Sequence, residues 1–163
     1  MNSSSENIAV DLRGFASRLP AGVAVISTCD EIGWITGTTM TAVMSLSLDP
    51  PLFAVSLAND SQTLDVIRKS GVFCINLLAE DQQDVANTCA RKADDKFASL
   101  KTTDSVTGAP CLSGTAAIAE CRLHSEFVAG DHTILAGELV RTVIETKAPL
   151  LYHAGRYSTL AQN

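Results

Sequence analysis

The sequence has little charge, few aromatic side chains and no cysteine pairing pattern, and each shortage removes a class of function. Charged residues make up 18% of the chain and aromatics 5%. With 12 Lys and Arg against 18 Asp and Glu, the formal net charge is −6. The chain therefore lacks the basic face through which nucleic-acid binders release counterions, and its few aromatics offer no base-stacking surface. The 5 cysteines, Cys29, Cys74, Cys89, Cys111 and Cys121, are odd in number and include no C-x-x-C pair. That argues against a zinc site or a disulfide framework and for reduced thiols in a cytoplasmic protein. No apolar run approaches the roughly 18 residues of a membrane span, so no membrane partner is expected. The start, MNSSSENIAVDLRG, has no basic region leading into a long apolar segment, and residues 1–10 are expected to be a disordered lead-in.

Missing motifs narrow the chemistry further. There is no G-x-G-x-x-G after a strand, no Walker loop and no G-x-S-x-G elbow. A nucleotide would have to be held by something other than a Rossmann or P-loop fold, and acyl transfer has no specific support. His124, His132 and His153 share no short helical spacing, so no metal site is expected.

What is present is a globular composition, 46% hydrophobic over 163 residues, enough for one domain over 11–163 with its own core. Leu12, Phe15, Ala16 and Leu19 recur at helical spacing before Pro20. Val23 to Thr28, a turn at Asp30 to Gly33, and Trp34 to Val43 read as a hairpin, and Leu52 to Leu57 and Val72 to Leu78 as further strands. Helices are expected over Ser61 to Ser70, where Asp65 lies early and Arg68 and Lys69 late, and over Asp81 to Ala90. Two long strands, Ala116 to Val128 and Thr133 to Ile144, flank Ala129-Gly130-Asp131-His132, and short segments follow around Leu151 and Tyr157. The fold class is mainly β with peripheral helices; long antiparallel strands with few helices argue for a closed barrel.

Four places carry candidate chemistry. From Gly37 to Ser47 small hydroxyl residues alternate with apolar ones, as a strand facing a polar ligand does, and as any half-exposed strand does. Asp60-Ser61-Gln62-Thr63 opens a helix, which fits either an anion site or an ordinary N-cap by Ser61 or Asp60. Arg91, Lys92 and Lys96 add positive charge for a phosphate, or form a solvated face. Gly130-Asp131-His132 joins the two long strands and brings a histidine to a cleft or leaves it in solvent.

Taken in order, the segments Pro20-Ala21-Gly22-Val23, Gly37 to Ser47 running into Leu48-Asp49-Pro50-Pro51-Leu52, Ser61-Gln62-Thr63, Phe73 to Leu78, Lys96-Phe97, Gly108 to Leu112, Glu120-Cys121, Gly130-Asp131-His132 and Pro149 to His153 resemble the short-chain flavin reductases. These are the reductase partners of two-component flavin-dependent monooxygenases. S-L-D-P-P and G-D-H are the most specific elements. The resemblance implies a split β-barrel of Greek-key type, the flavin reductase-like FMN-binding fold. It also implies a homodimer and an enzyme that passes a hydride from NADH or NADPH to FMN or FAD for a partner monooxygenase. It places Thr39, Met40, Thr41 and Ala42 along the isoalloxazine, Ser45 near the ribityl chain or phosphate, and Ser56 and Leu57 near the ring. Ser61 and Thr63 would hold phosphate, Lys92 or Lys96 with Phe97 would border the flavin tail, and His132 with Tyr157 would flank the nicotinamide, His132 as the catalytic residue. The chain departs from the common pattern at Thr41-Ala42, Val43 and Cys89, which bears on flavin affinity more than on fold. The rival reading is a non-catalytic flavin-binding or assembly protein on the same barrel; a split-barrel oxidase of a pyridoxal-type phosphate is a weaker third.

Overall fold

In the computed structural model, which describes residues 11–161, the chain runs α1 (Leu12–Ala16), β1 (Ala21–Gly22), β2 (Ala24–Cys29), β3 (Ile35–Met40), β4 (Val43–Leu48), β5 (Pro51–Ala58), α2 (Gln62–Ser70), β6 (Val72–Leu77) and α3 (Gln83–Ala90). It continues as β7 (Thr102–Thr103), β8 (Cys111–Leu112), β9 (Ala117–Ala129), β10 (His132–Ile144), β11 (Leu151–His153) and β12 (Arg156–Ser158). The expected lead-in, 1–10, lies outside the described residues.

β2 opens with three successive apolar residues, Ala24, Val25 and Ile26, because both of its faces are buried. Ala24 and Ile26 face one cluster, with Leu57, Leu64, Ile67, Phe73 and Leu135. Val23, just before it, and Val25 face another, with Leu78, Ala86, Phe97, Leu112 and Leu150. A strand buried on both sides loses the apolar–polar alternation of a half-exposed one. The turn into β3 is built by Asp30, whose Oδ1 accepts from Ile32 N at 3.0 Å and Trp34 N at 2.8 Å, with Gly33 at φ 84°. α2 buries Leu64, Val66 and Ile67 and stops at Gly71 in the left-handed region, whose N–H donates to Ile67 O.

The main sheet has seven strands in the order β3-β2-β6-β9-β10-β5-β4, with β1, β11 and β12 in a separate sheet. The β9–β10 hairpin sits between β5 and β6, which follow one another in the chain, an interleaving of the Greek-key kind. Only Thr41 and Ala42 separate β3 from β4, yet these are opposite edges of the sheet. Two residues span too little distance to cross a flat seven-stranded sheet, so the sheet is rolled until its edges meet. Among the described residues β3 and β4 are not paired with each other. The closed barrel expected from strand length is corrected to an open, split one, and the single strand expected from Trp34 to Val43 breaks at this seam.

α1 is also shorter than its apolar spacing indicates, and it buries none of its residues. Leu12, Phe15 and Leu19 are all exposed, because one turn of helix offers no continuous face to pack.

Gly137 shows how tightly the roll is packed. The β9–β10 register shifts between Ala136 and Gly137, and a Cβ at Gly137 would lie 2.8 Å from both Cys121 Cβ and Phe73 Cε1. Gly137→Ala therefore overpacks the core and lowers stability by about 1–3 kcal/mol. Urea unfolding checks this, and Phe73→Leu introduced with it recovers part of the loss through their shared space.

Candidate functional site

At the seam of the sheet lies a cleft of about 540 Å³, within the roughly 300–1,000 Å³ typical of small-molecule sites. β3 supplies one wall through Thr36, Thr38, Thr39 and Met40, and the end of β5 supplies another through Ser56, Leu57 and Ala58. The approach to α2, with Asp60, Ser61, Gln62 and Thr63, and the segment leaving α3, with Arg91, Lys92, Asp94 and Lys96, complete it. His132 reaches the same cleft because β10 pairs with β5 in the register His132↔Ala58.

Several of these groups are already engaged. Thr39 Oγ1 donates to Ala86 O at 2.7 Å, tying β3 to α3. Lys96 Nζ donates to Cys89 O at 3.3 Å and Arg91 O at 3.1 Å, satisfying carbonyls at the end of α3. Burial lowers the Lys96 pKa, and burial pushes the Cys89 thiol up to about 11 against the pull of the Lys96 charge.

Other groups are left open to a ligand. Ser61 holds the N-cap position of α2 in extended backbone, but its hydroxyl makes no capping hydrogen bond. The ordinary cap weighed for Ser61 is therefore not formed, and the first N–H groups of α2 keep their positive end toward the cleft. Thr63 also lines the cleft but is not open in this sense: it is buried, and its Oγ1 is hydrogen-bonded to Thr36 Oγ1 at 3.4 Å. Arg91 and Lys92 form no ion pair among the described residues. They give the cleft a local positive charge in an acidic protein.

His132 Nδ1 lies 2.7 Å from Asp131 Oδ1. The hydrogen bond from His132 holds the Asp131 carboxyl below its usual range, so Asp131 is ionised and accepts only, and Nδ1 must be the donor. The imidazole thus keeps Nε2 for a ligand, with the His132 side chain 47% exposed.

Of the residues proposed from the sequence, the cleft gathers Thr39, Met40, Ser56, Leu57, Ser61, Thr63, Lys92, Lys96 and His132. It does not gather the others. Phe97 is buried behind β3, where its Cζ would be 2.7 Å from a Cβ at Gly37. Thr41 and Ala42 lie exposed on the link between β3 and β4, and Ser45 lies exposed on β4. Tyr157 belongs to β12, edge-to-face with Tyr152 at 5.4 Å. Thr36, Ala58 and Asp94 were not foreseen, while Thr38, Asp60 and Gln62 fell inside candidate segments without being given a role of their own. Thr36 and Thr38 were legible in principle, since they share a strand face with Met40 at a spacing of two.

Comparisons with known proteins identify the family. Residues 16–161 match the model of the flavin reductase like domain. The chain is 38% identical over 150 residues to the actinorhodin polyketide dimerase of Streptomyces coelicolor, covering 91% of this chain and 85% of that one. It is 37% identical over 157 residues to the reductase subunit HsaB of a flavin-dependent monooxygenase from Rhodococcus jostii, covering 92% and 78%. Among solved structures, the NADH:FAD oxidoreductase of Streptomyces globisporus in complex with NAD and FAD fragments superposes with a TM-score of 0.87 at 27% identity, covering 92% of this chain and 91% of that one. By sequence match and by fold, this chain belongs to the flavin reductase-like domain family.

Proposed function

We propose that the protein is an NAD(P)H-dependent flavin reductase, a single domain over 11–163. It binds FMN or FAD in the seam cleft, uses NADH or NADPH as donor, and passes reduced flavin to a partner flavin-dependent monooxygenase. The observation that carries this reading is the company of an uncapped helix start, free cations and a tautomer-fixed histidine in one cleft of suitable volume. A bound flavin supplies the two-electron acceptor, so the protein has to bind, orient and exclude rather than provide a base. Ser61, Thr63 and the first N–H groups of α2, with Arg91 and Lys92, suit a phosphate. Thr38, Met40, Ser56 and Leu57 offer a mixed hydroxyl and apolar wall for the ring, and His132 offers Nε2 on the nicotinamide side.

The same reading makes the protein a homodimer. β4 is an edge strand, paired among the described residues with β5 alone, on which Met44, Leu46 and Leu48 are exposed, Leu48 at 92%, and such edges are normally covered. Thr41, Ala42 and Ser45 lie on or beside this edge, so a second copy seated there would enclose them next to the cleft. No described helix is long and apolar enough to cross a membrane, and the 5 cysteines are free, which supports a cytoplasmic setting.

Steady-state oxidation of NADH and NADPH with added FMN or FAD tests the activity. Turnover is expected; a protein that binds flavin yet oxidises neither nucleotide is the non-catalytic binding protein instead. Within that assay His132→Ala slows anaerobic flavin reduction about tenfold, equivalent to roughly 1.4 kcal/mol of transition-state stabilisation. Flavin affinity and thermal stability change little, since the side chain is half exposed.

A further inference from the structure

His132 follows a two-residue turn, Gly130-Asp131, with Gly130 in the left-handed region at φ 65°. A turn with positive φ at its first central residue only is of the II′ kind and suits a two-residue hairpin. Such tips fray unless something holds them. Here the holding group comes from outside the hairpin.

Asn59, the residue after β5, makes hydrogen bonds to three residues around His132. Its backbone N donates to Asp131 O at 2.9 Å. Its Nδ2 donates to Gly130 O at 3.0 Å, and its Oδ1 accepts from Thr133 Oγ1 at 2.8 Å. The two side-chain bonds run in opposite senses, one given and one received, which a side-chain amide can do and a carboxylate cannot. Thr133 is fully buried, so its hydroxyl has a fixed place. The turn is thereby anchored on both sides of His132, and the anchor stands in the chain between Ala58 and Asp60, which both line the cleft.

We infer that Asn59 is a positioning residue for the reductase reaction: it fixes the Gly130-Asp131 turn so that the His132 ring, with its tautomer set by Asp131, is presented to the nicotinamide. The inference rests on the reading of His132 given above. A catalytic group displaced by about 1 Å can cost up to 10²-fold, and Asn59 acts only through that displacement.

The test is a double-mutant cycle in stopped-flow anaerobic reduction, with wild type, His132→Ala, Asn59→Ala and the double variant, at saturating nucleotide. Asn59→Ala is expected to slow reduction by between about threefold and the whole His132→Ala loss, with flavin Kd within about twofold of wild type. In the His132→Ala background it should add nothing. Asn59→Asp, which keeps an acceptor for Thr133 but sets a carboxylate against Gly130 O, should not restore the rate. Equal slowing by Asn59→Ala in both backgrounds overturns the inference, because the residue then acts elsewhere. A wild-type rate for Asn59→Ala beside a slow His132→Ala overturns it as well and leaves His132 in place. A wild-type rate for His132→Ala overturns the reading of His132 itself. Thr133→Val, which preserves shape and removes only the hydroxyl bond, repeats the cycle should Asn59→Ala fold poorly, with a smaller loss expected and the same non-additivity.

Discussion

Replacing Glu120 by Ala lowers the stability of the fold by about 3–5 kcal/mol, the usual cost of breaking a buried, hydrogen-bonded ion pair from one side. Glu120 stands on β9 with no exposed surface. Its Oε2 accepts from Ser105 Oγ at 2.7 Å, Val106 N at 2.8 Å, Thr107 N at 2.9 Å and Thr107 Oγ1 at 2.9 Å. Its Oε1 accepts from Arg141 Nη1 at 2.9 Å, and Arg141 also donates to Asp104 O. One carboxylate thus organises the loop between β7 and β8. The hydroxyls can turn away when it is lost, but the two backbone N–H groups cannot, and each unsatisfied buried donor costs roughly 1–3 kcal/mol. For a chain of this size the loss corresponds to roughly 6–20 °C in Tm. Glu120→Gln is milder, since its carbonyl can serve the loop while its NH2 faces Arg141.

The same residue gives the fold an acid-sensitive component. Burial alone would raise the Glu120 pKa, but the hydrogen bonds from Ser105, Thr107 and Arg141 outweigh it and hold the value at about 2, against an ordinary 4.5. A carboxyl whose pKa is depressed by folding contributes its stability above the unfolded value and loses it as pH falls toward the folded one. The window is therefore pH 4.5 down to about 2, and the full contribution is about 3 kcal/mol, of which about 2 is gone by pH 3. Urea unfolding at pH 6 and pH 3 should show that much less pH dependence in Glu120→Gln than in wild type. Equal pH dependence in both proteins would show that the buried carboxylate is not the group that titrates.

How much of this was legible in the sequence depends on which level of structure decides each residue. The hairpin around Asp30, the helix ending at Gly71 and the long β9–β10 pair rest on local signals: an Asp that closes a turn, a left-handed glycine cap, β-branched runs. They were read within one or two residues. The break at Thr41-Ala42 was not, because the alternation of hydroxyl and apolar residues from Gly37 to Ser47 runs straight through it. Nothing local marks the point at which a rolled sheet passes from one edge to the other.

The site divides in the same way. Ser61, Thr63 and His132 stand at an element's start or next to a turn, where a local pattern already singles them out. Lys96 lines the cleft and Phe97 does not, and each is held by a structural contact that the sequence did not reveal. Phe97 fills the space that Gly37 leaves, a contact across some sixty residues that no window shows. Lys96 is drawn to the carbonyls ending α3, while its neighbours Arg91 and Lys92 carry the open charge. In a run of like residues the sequence shows the charge but not which member is spent on structure. For Ser61 the two readings, cap or ligand, start from the same residue; its hydroxyl makes no capping bond, which removes the first and leaves the second to binding measurements.

That open hydroxyl sets the second large effect. Ser61→Ala combined with Thr63→Val should weaken FMN binding by about 10²-fold or more. Hydrogen bonds to a charged group are worth about 1.5–3 kcal/mol each, and neighbouring sites add incompletely, so the lower end applies. Riboflavin, which has the ring and ribityl chain without the phosphate, should lose far less. Stability supplies the control. Replacing a serine that caps its helix costs about 1 kcal/mol, whereas Ser61 makes no capping bond and its loss should leave the melting temperature of the flavin-free protein nearly unchanged. Valine at position 63 keeps the volume of the buried Thr63 while removing the hydroxyl 3.4 Å from Thr36 Oγ1, so the core stays filled. Fluorescence titration with FMN and riboflavin, beside thermal melts without ligand, separates the two roles. Equal losses for both flavins, or a melting temperature lowered by several degrees with FMN affinity intact, would return Ser61 and Thr63 to the helix and leave the phosphate to Arg91 and Lys92.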